Sequence, residues 1–242
     1  MTDSLVVNEI FLSVQGESTW AGLACVFVRL TGCDLRCSYC DTAYAFGQGR
    51  RQPLAGILEE VRRLAAPFGR AAPRLPLVEL TGGEPLLQPA SLPLLAALAD
   101  EGLTVLLETS GAHDLSQVDG RVHRIMDLKC PASGEAGRNC WGNLAHLKGT
   151  DEVKFVIATH QDYEWARAII AQHQLERVCP LLVSWAQPLG SSQAHPSLQP
   201  MPPGHTPISR RELVERMLAD ALPVRFQAQL HKVIWSPEQR GV

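Results

Sequence analysis

The chain has 242 residues, a length that favours one domain with a sizeable core. Hydrophobic residues make up 45% and charged residues 19%, which excludes wholesale disorder, a collagen-like repeat and a coiled coil. The 22 Lys and Arg against 25 Asp and Glu give a net charge of −3, which excludes a protein that coats nucleic acid. Because no apolar run could cross a bilayer and the first residues lack a signal peptide, we expect a cytoplasmic protein with no membrane partner.

Short apolar runs alternate with amphipathic stretches along most of the chain. Since alternating strands and helices form a parallel sheet, this pattern predicts an α/β fold, either an open sheet or a partly closed barrel. Such folds bind ligands at the carboxyl ends of their strands. The predicted strands are residues 26–30, 77–81, 105–108, 125–128, 153–157 and 181–184, and the predicted helices are residues 54–66, 91–101 and 161–173.

The last quarter of the chain contains a proline-rich stretch followed by two predicted elements. Residues 187–207 hold six prolines, two glycines and no Asp, Glu, Lys or Arg, which favours a plain surface loop over a lid on an active site. Ser209 and Glu212 form a capping box that predicts a helix ending at Pro223, and residues 224–235 predict a final strand. We therefore expect a single domain over residues 1–242 with a loop inserted at about 187–207.

Three of the seven cysteines, Cys33, Cys37 and Cys40, lie together after a predicted strand. An odd cysteine count without an export signal indicates metal or redox use rather than a disulfide framework. Three thiolates are one ligand short of a structural zinc site or a ferredoxin cluster, but on a 4Fe-4S cluster they leave one iron open to an external ligand. The alternative is a zinc site completed by a distant ligand, for which the candidates are Cys25, His113 and Cys130.

The spacing Cys-x-x-x-Cys-x-x-Cys, with Tyr39 before the last cysteine, resembles the signature of radical S-adenosylmethionine (SAM) enzymes. The motif Thr-Gly-Gly-Glu-Pro at residues 81–85 resembles the superfamily element whose backbone receives the amino group of SAM. The resemblance implies one 4Fe-4S cluster on the three cysteines, SAM on the open iron, and a one-electron donor such as flavodoxin or ferredoxin. By the same resemblance, the residues that contact SAM are Tyr39, Cys40, Asp41, Gly83, Lys129, Cys130 and Pro131.

The segment at residues 9–17, which ends in Gln15-Gly16-Glu17, resembles the 7-carboxy-7-deazaguanine synthases of queuosine biosynthesis, a tRNA modification pathway. The likeness continues at residues 40–42, 127–129 and 229–232, so it covers most of the chain outside the proline-rich loop. It implies a partial or modified (β/α) barrel of the radical SAM type, and a homodimer. It also implies a lyase that converts 6-carboxy-5,6,7,8-tetrahydropterin to 7-carboxy-7-deazaguanine with loss of ammonia.

That resemblance further implies Mg²⁺ on Thr42 and substrate contacts from Val14, Gln15, Gly16, Arg29 and Thr81. Mg²⁺ takes oxygen ligands, and the planar fork of Arg29 suits a substrate carboxylate. Without the resemblance, Arg29 would be interpreted as a member of a surface ion pair and Thr42 as a turn residue. Ser184 lies in a stretch that departs from the expected cofactor segment, so it is given no role.

Ser18 stands where this family usually has a glycine, so either it adopts a backbone conformation for which glycine is commoner or the loop shifts. Two rival functions stay open. An activating enzyme for a glycyl-radical protein would share the cysteine triplet and the Gly-Gly-Glu-Pro element, but Gln15-Gly16-Glu17 favours the synthase. A non-catalytic, zinc-stabilised binding module is the rival from another class.

Overall fold

The computed structural model describes residues 3–69, 75–236 and 238–242, and its strands form one nine-stranded sheet. The strands are β1 (Ser4–Val14), β2 (Ala24–Leu30), β3 (Arg50–Pro53), β4 (Leu77–Gly82), β5 (Val105–Thr109), β6 (His123–Asp127), β7 (Glu152–Ile157), β8 (Leu181–Trp185) and β9 (Arg225–Gln227). Their order in the sheet is β3-β1-β2-β4-β5-β6-β7-β8-β9. Pairing is parallel from β2 onwards, whereas β1 is antiparallel to both β2 and β3. Since β3 and β9 lie at opposite edges, the sheet forms a partial barrel that stays open, as expected.

Five helices accompany the sheet: α1 (Leu54–Ala65), α2 (Ser91–Asp100), α3 (His160–His173), α4 (Arg210–Ala219) and α5 (Leu230–Ile234). The predicted capping box starts α4. The Ser209 side chain accepts from the backbone N–H of Glu212, and the Glu212 side chain accepts from the backbone N–H of Ser209. Thr159 and Asp162 start α3 in the same way. No helix in the described part of the chain is long and apolar enough to pass through a membrane.

Side chains on β4 alternate between two environments, as strand geometry requires. Val78 and Leu80 pack into the large apolar core that the helices complete, whereas Leu77 faces the other way and joins a smaller cluster with Cys25 and Leu106. That smaller cluster forms an apolar layer near the amino ends of the strands. One layer further along the strands, the positions on the same inner face of β4, β5, β6 and β7 are charged, and a cavity lies there rather than a closed core.

The predicted strands and helices are found within one or two residues of their expected bounds, with two exceptions: α4 ends at Ala219 instead of Pro223, and the last strand differs. Residues 224–235 were predicted as one strand, and this is wrong, because only Arg225–Gln227 pairs with β8 and α5 follows it. The chain turns inward there, since the backbone N–H of Leu230 donates to the carbonyl of Gly16 at 2.9 Å. Residues 187–207 contain neither helix nor strand, as predicted.

Candidate active site

A cavity of about 600 Å³ opens at the carboxyl ends of the parallel strands, where the fold was expected to bind its ligands. The structure brings all the residues assigned to substrate and to Mg²⁺ to its wall, namely Val14, Gln15, Gly16, Arg29, Thr81 and Thr42. Most of the residues assigned to SAM also lie there, namely Tyr39, Cys40, Asp41, Gly83 and Lys129. Residues that are up to 115 positions apart in the sequence therefore share one cavity.

The cysteine loop follows β2 at the rim of this cavity. Cys37 and Cys40 line the cavity, and Cys33 lies at the start of the loop. The loop is held from outside, because the backbone N–H of Ser38 donates to the carbonyl of Ser133 at 3.0 Å. The backbone of Arg36 likewise donates to Glu135 Oε1 at 2.7 Å. The three thiols are thus presented on one fixed loop.

Gly83 packs directly against the start of the cysteine loop. A Cβ at this position would lie 2.2 Å from the carbonyl oxygen of Gly32 and 2.7 Å from Cys33 Cβ, so only glycine fits. The next residue, Glu84, donates its backbone N–H to the same carbonyl at 2.9 Å, while its buried carboxylate accepts from the Ser110 N–H at 2.7 Å. The Gly-Gly-Glu-Pro segment therefore joins the cysteine loop to the end of β5.

The donor set fits a cluster better than a single ion. No three His, Cys, Asp or Glu side chains converge on a single-ion site within residues 3–69, 75–236 and 238–242. Of the ligands considered for zinc, Cys25 is fully buried at the far end of β2 and Cys130 is fully buried in the core. A 4Fe-4S cluster, whose irons are separate, takes thiolates that are spread more widely than those around one ion.

Burial raises the pKa of Cys33 to about 11 and that of Cys40 to about 12. Without metal, both thiols therefore keep their protons at neutral pH. Because only thiolates ligate iron, cluster assembly must release these protons.

Thr42 follows the cysteine loop and lies beside a fixed carboxylate. Its hydroxyl donates to Asp41 Oδ1 at 2.9 Å, and Asp41 is in turn contacted by the ammonium of Lys232. With its proton directed at Asp41, the Thr42 oxygen keeps its lone pairs for another partner. An oxygen ligand of this kind suits a hard cation that shares its shell with water and substrate.

Arg29 forms an ion pair with Glu9, whose Oε1 accepts from the Arg29 Nε at 2.7 Å. Arg29 lies on the wall of the cavity rather than on the outer surface, and its side chain is only 18% exposed. Sequence reasoning offered an ion pair and a substrate contact as alternatives for Arg29, and the geometry is compatible with both at once.

Two charged residues of the inner face, Glu79 and Lys154, were not singled out from the sequence, and Glu17 was named only as part of its motif, without a role. The Lys154 ammonium contacts Glu108 and lies 3.1 Å from Glu17 Oε2. Burial opposes its charge, but Glu108 and Glu17 outweigh that effect and hold the pKa of Lys154 well above its ordinary value. A charged residue in the middle of an otherwise apolar strand, as at Glu79 and Lys154, is the signal that could have identified these two.

Gly16 and Ser18 show how the segment before β2 reaches the cavity. A Cβ on Gly16 would lie 2.3 Å from Nδ1 of His231, so α5 packs against bare backbone at this point. Ser18 adopts a φ of 64°, the left-handed conformation for which glycine is commoner, as the first of the two alternatives for this position predicted. The strained residue is held by Gln227, whose side-chain oxygen accepts from the Ser18 N–H at 2.9 Å.

Two residues assigned to SAM lie outside the cavity wall. Cys130 is fully buried in the apolar core, and Pro131 begins a short turn against the cysteine loop. Their neighbour Lys129 does line the cavity, where its ammonium lies 2.7 Å from Asp127 Oδ2. Ser184, which was given no role, also lies on the wall.

The proline-rich loop reaches both the cysteine loop and the cavity. The Gln199 N–H donates to the carbonyl of Arg36 at 2.7 Å, and the ring of His195 lies 5.6 Å from that of Phe46. Residues 192–195 border the cavity. The stretch is thus a surface loop, as favoured from the sequence. Part of it also borders the cavity, which is where a lid, the alternative interpretation, would lie.

The residues at 238–242 complete the cavity wall, with the Arg240 guanidinium 4.0 Å from the ring centre of Tyr44. Nothing in the sequence singled them out, because a tail with no apolar periodicity gives no indication of where it packs.

Comparison with known proteins adds an independent line of evidence. Residues 27–131 match the family model described as the Radical SAM superfamily. The chain is 43% identical over 241 residues to a 7-carboxy-7-deazaguanine synthase of Koribacter versatilis, covering 98% of this chain and 99% of that relative. It is 41% identical to the synthase of Chlorobaculum tepidum, covering 98% and 97%. Its fold is similar to the crystal structure of QueE from Escherichia coli, with a TM-score of 0.67, 19% identity and coverage of 93% and 94%.

Proposed function

The chain belongs to the 7-carboxy-7-deazaguanine synthase family of the radical SAM superfamily, and from that premise we propose which of its residues serve the reaction. It is a lyase that converts 6-carboxy-5,6,7,8-tetrahydropterin to 7-carboxy-7-deazaguanine with loss of ammonia, in queuosine biosynthesis. The rival functions, a glycyl-radical activating enzyme and a zinc module, are set aside because synthases match the chain over nearly its whole length.

One observation supports the assignment of residues. The cysteine loop, Gly83, Gln15 and Arg29 all line a single cavity. In the proposal, Cys33, Cys37 and Cys40 hold the 4Fe-4S cluster. When bound, the cluster and SAM supply a 5′-deoxyadenosyl radical after a one-electron reduction. The chain's task is to hold the two cofactors and the pterin next to one another with water excluded.

For SAM, we assign the backbone at Tyr39, Cys40, Asp41 and Gly83, together with Lys129. Gly83 supports this assignment because a backbone without a Cβ lies against the cysteine loop, where a ligand amino group can approach peptide groups closely. Cys130 and Pro131 stay in the proposal through their backbone, since the Cys130 side chain belongs to the core.

For the pterin, we assign Val14, Gln15, Gly16 and Thr81 to its ring edge and Arg29 to its carboxylate. Gln15 supports the assignment because it is buried on the cavity wall and its side-chain nitrogen donates to the carboxyl of Glu79. That contact places the Gln15 amide and the Glu79 carboxyl side by side on one wall of the cavity. Their donors and acceptors match the alternating N–H and C=O groups of a pterin edge.

Replacing Arg29 by alanine is expected to lower kcat/KM for the carboxylated pterin about 100-fold, because a charge-assisted contact to the substrate is lost in a buried site. Steady-state rates of the reconstituted variant measure this. Arg63→Ala, which breaks an exposed ion pair with Glu60 on α1, is the matched control and should leave kcat/KM unchanged. An Arg29→Ala enzyme with wild-type kcat/KM would remove Arg29 from the substrate site.

We also propose that Thr42 contributes an oxygen ligand to Mg²⁺ beside the substrate carboxylate. The support is its hydroxyl, which donates to Asp41 and so offers lone pairs towards the cavity. In Thr42→Val, which keeps the shape of the side chain, the Mg²⁺ concentration for half-maximal turnover should rise about tenfold. Loss of one partner at a metal site typically lowers metal affinity by about 10- to 100-fold. An unchanged Mg²⁺ titration would contradict this assignment.

The resemblance also supports a one-electron donor such as flavodoxin or ferredoxin, a homodimer and a cytoplasmic location. All seven cysteines are free in the structure, which fits a reducing compartment. Light scattering of the reconstituted enzyme tests the dimer, since a monomer at working concentrations would exclude it. Turnover with a purified flavodoxin and its reductase in place of a chemical reductant tests the donor.

A further inference from the structure

Glu9 is an acidic residue on the wall side of β1 to which neither the sequence nor the relatives assign a role. In the β1–β2 ladder it lies directly opposite Arg29, immediately after an irregularity in the pairing between Val7 and Glu9. A bulge of this kind turns the following side chains, and such features are common beside active sites. Glu9 and Arg29 are partners in the ladder there, and the Glu9 carboxylate lies alongside the guanidinium of Arg29.

The contact engages one edge of the guanidinium only. Glu9 Oε1 accepts from the Nε of Arg29 at 2.7 Å, and no group in the described part of the chain accepts from its two terminal amino groups. Since guanidinium donors point outwards in a fixed plane, engaging Nε determines the direction of the other two amino groups. These two donors form the end of the fork, which can hold a carboxylate with two parallel hydrogen bonds.

A second donor fixes the carboxylate of Glu9 itself. The hydroxyl of Tyr44 donates to the same Oε1 at 3.0 Å. The rings of Tyr44 and Phe11 lie on the guanidinium as well, each with its centre 5.9 Å from Arg29 Cζ. Arg29 is thus held by one carboxylate and two rings.

We infer that Glu9 is a positioning residue that orients Arg29 so that the end of its fork faces the carboxylate of the substrate. The inference rests on the proposed role of Arg29 as the carboxylate contact. In this role Glu9 touches neither substrate nor cofactor. It holds the Arg29 side chain in its binding orientation before the substrate arrives, so less conformational freedom is lost on binding. Its negative charge also lowers the attraction of Arg29 for anions in general, so the site favours a carboxylate that arrives in the right direction.

The test compares a ligand with the carboxylate and a ligand without it. We expect Glu9→Ala and the volume-matched Glu9→Met to raise KM for 6-carboxy-5,6,7,8-tetrahydropterin about tenfold, the order expected when one immobilised side chain regains its freedom, with kcat within about twofold. The inhibition constant of tetrahydropterin, which lacks the carboxylate, should stay unchanged. Glu9→Gln keeps an acceptor for Nε and should restore KM to within about threefold of the wild type.

Three outcomes overturn the inference. If tetrahydropterin binding weakens by the same factor as KM rises, Glu9 supports the wall in general and does not orient Arg29 towards a carboxylate. If KM stays unchanged in Glu9→Ala and Glu9→Met while Arg29→Ala is impaired, the inference fails and the proposed function stands. If Arg29→Ala is itself unimpaired with the carboxylated substrate, the proposed role of Arg29 fails and takes the inference with it. Iron content and melting temperature of every variant show that the comparison is made between folded enzymes.

Discussion

Replacement of Cys37 by alanine is expected to abolish cleavage of SAM and formation of product. The structure places the three thiols on one loop, and no described His, Asp or Glu joins them to make a site for a metal ion. A 4Fe-4S cluster on three cysteines already has one iron without a protein ligand. Loss of Cys37 would leave two irons without one, and no other donor among the described residues is in place to take over. Iron and sulfide content should fall together with activity in anaerobically reconstituted samples.

Cys140→Ala is the matched control for this change. Cys140 is also a free cysteine, half-buried where Cys37 is buried, and it lies outside the cavity wall. Its replacement should leave iron content and turnover at wild-type levels. Retained SAM cleavage in Cys37→Ala would contradict the cluster assignment, whereas equal losses in both variants would indicate a general effect of cysteine replacement on folding.

Replacement of Glu79 by glutamine is expected to stabilise the protein, and to do so more strongly as the pH rises from about 5 to about 8. Glu79 is 5% exposed, and its side-chain partner is the uncharged amide of Gln15. Burial, together with the nearby carboxylate of Glu108, raises the pKa of Glu79 to about 8. The ammonium of Lys154, which could oppose this shift, is already engaged by Glu108 and Glu17.

The sign follows from proton binding. Between the ordinary pKa of a glutamate and about 8, the folded state holds a proton on Glu79 that the unfolded state has released, so stability falls as the pH rises. At pH 8 the wild type is therefore expected to be less stable than at pH 5 by on the order of a few kcal/mol, and glutamine, which never ionises, avoids the loss. At pH 5 the two proteins should differ little.

Urea unfolding of matched samples at pH 5 and pH 8 measures the effect. Glu60→Gln is the control, because hydrogen bonding to Arg63 lowers the pKa of Glu60 on the surface of α1. Removing that group should produce no gain in stability at high pH. A Glu79→Gln variant whose stability relative to the wild type is the same at both pH values would show that Glu79 is ionised throughout this range.

The fold could be predicted from the sequence where the pattern of apolar residues is local. Strands such as β4 and β7 are bounded by turn residues, and the capping box at Ser209 marks the start of α4. Residues 224–235 could not be assigned correctly, because their apolar spacing suits a strand, whereas in the structure α5 follows the short β9 and Leu230 contacts Gly16. A contact across more than 200 residues leaves no local signal.

The candidate site likewise contains residues that could be identified from the sequence and residues that could not. The cysteine loop, Gly83 and Arg29 are identified by motifs, and the structure brings them to one cavity or its rim. Glu79, Lys154 and the tail at residues 238–242 were missed, because their role depends on which face of the sheet is hollow and on what closes it. An ionisable residue inside an apolar strand is consistent either with a polar cavity or with a buried ion pair, and the sequence alone does not distinguish them.

The assignment of this chain as a synthase is best tested by the reaction itself, measured on protein reconstituted anaerobically with iron and sulfide. The enzyme is incubated with SAM, dithionite, Mg²⁺ and 6-carboxy-5,6,7,8-tetrahydropterin, and the small molecules are identified by mass spectrometry. We expect a product with the mass of 7-carboxy-7-deazaguanine, formed only when SAM and the reductant are both present. A protein that carries its cluster and releases 5′-deoxyadenosine without forming that product would contradict the assignment.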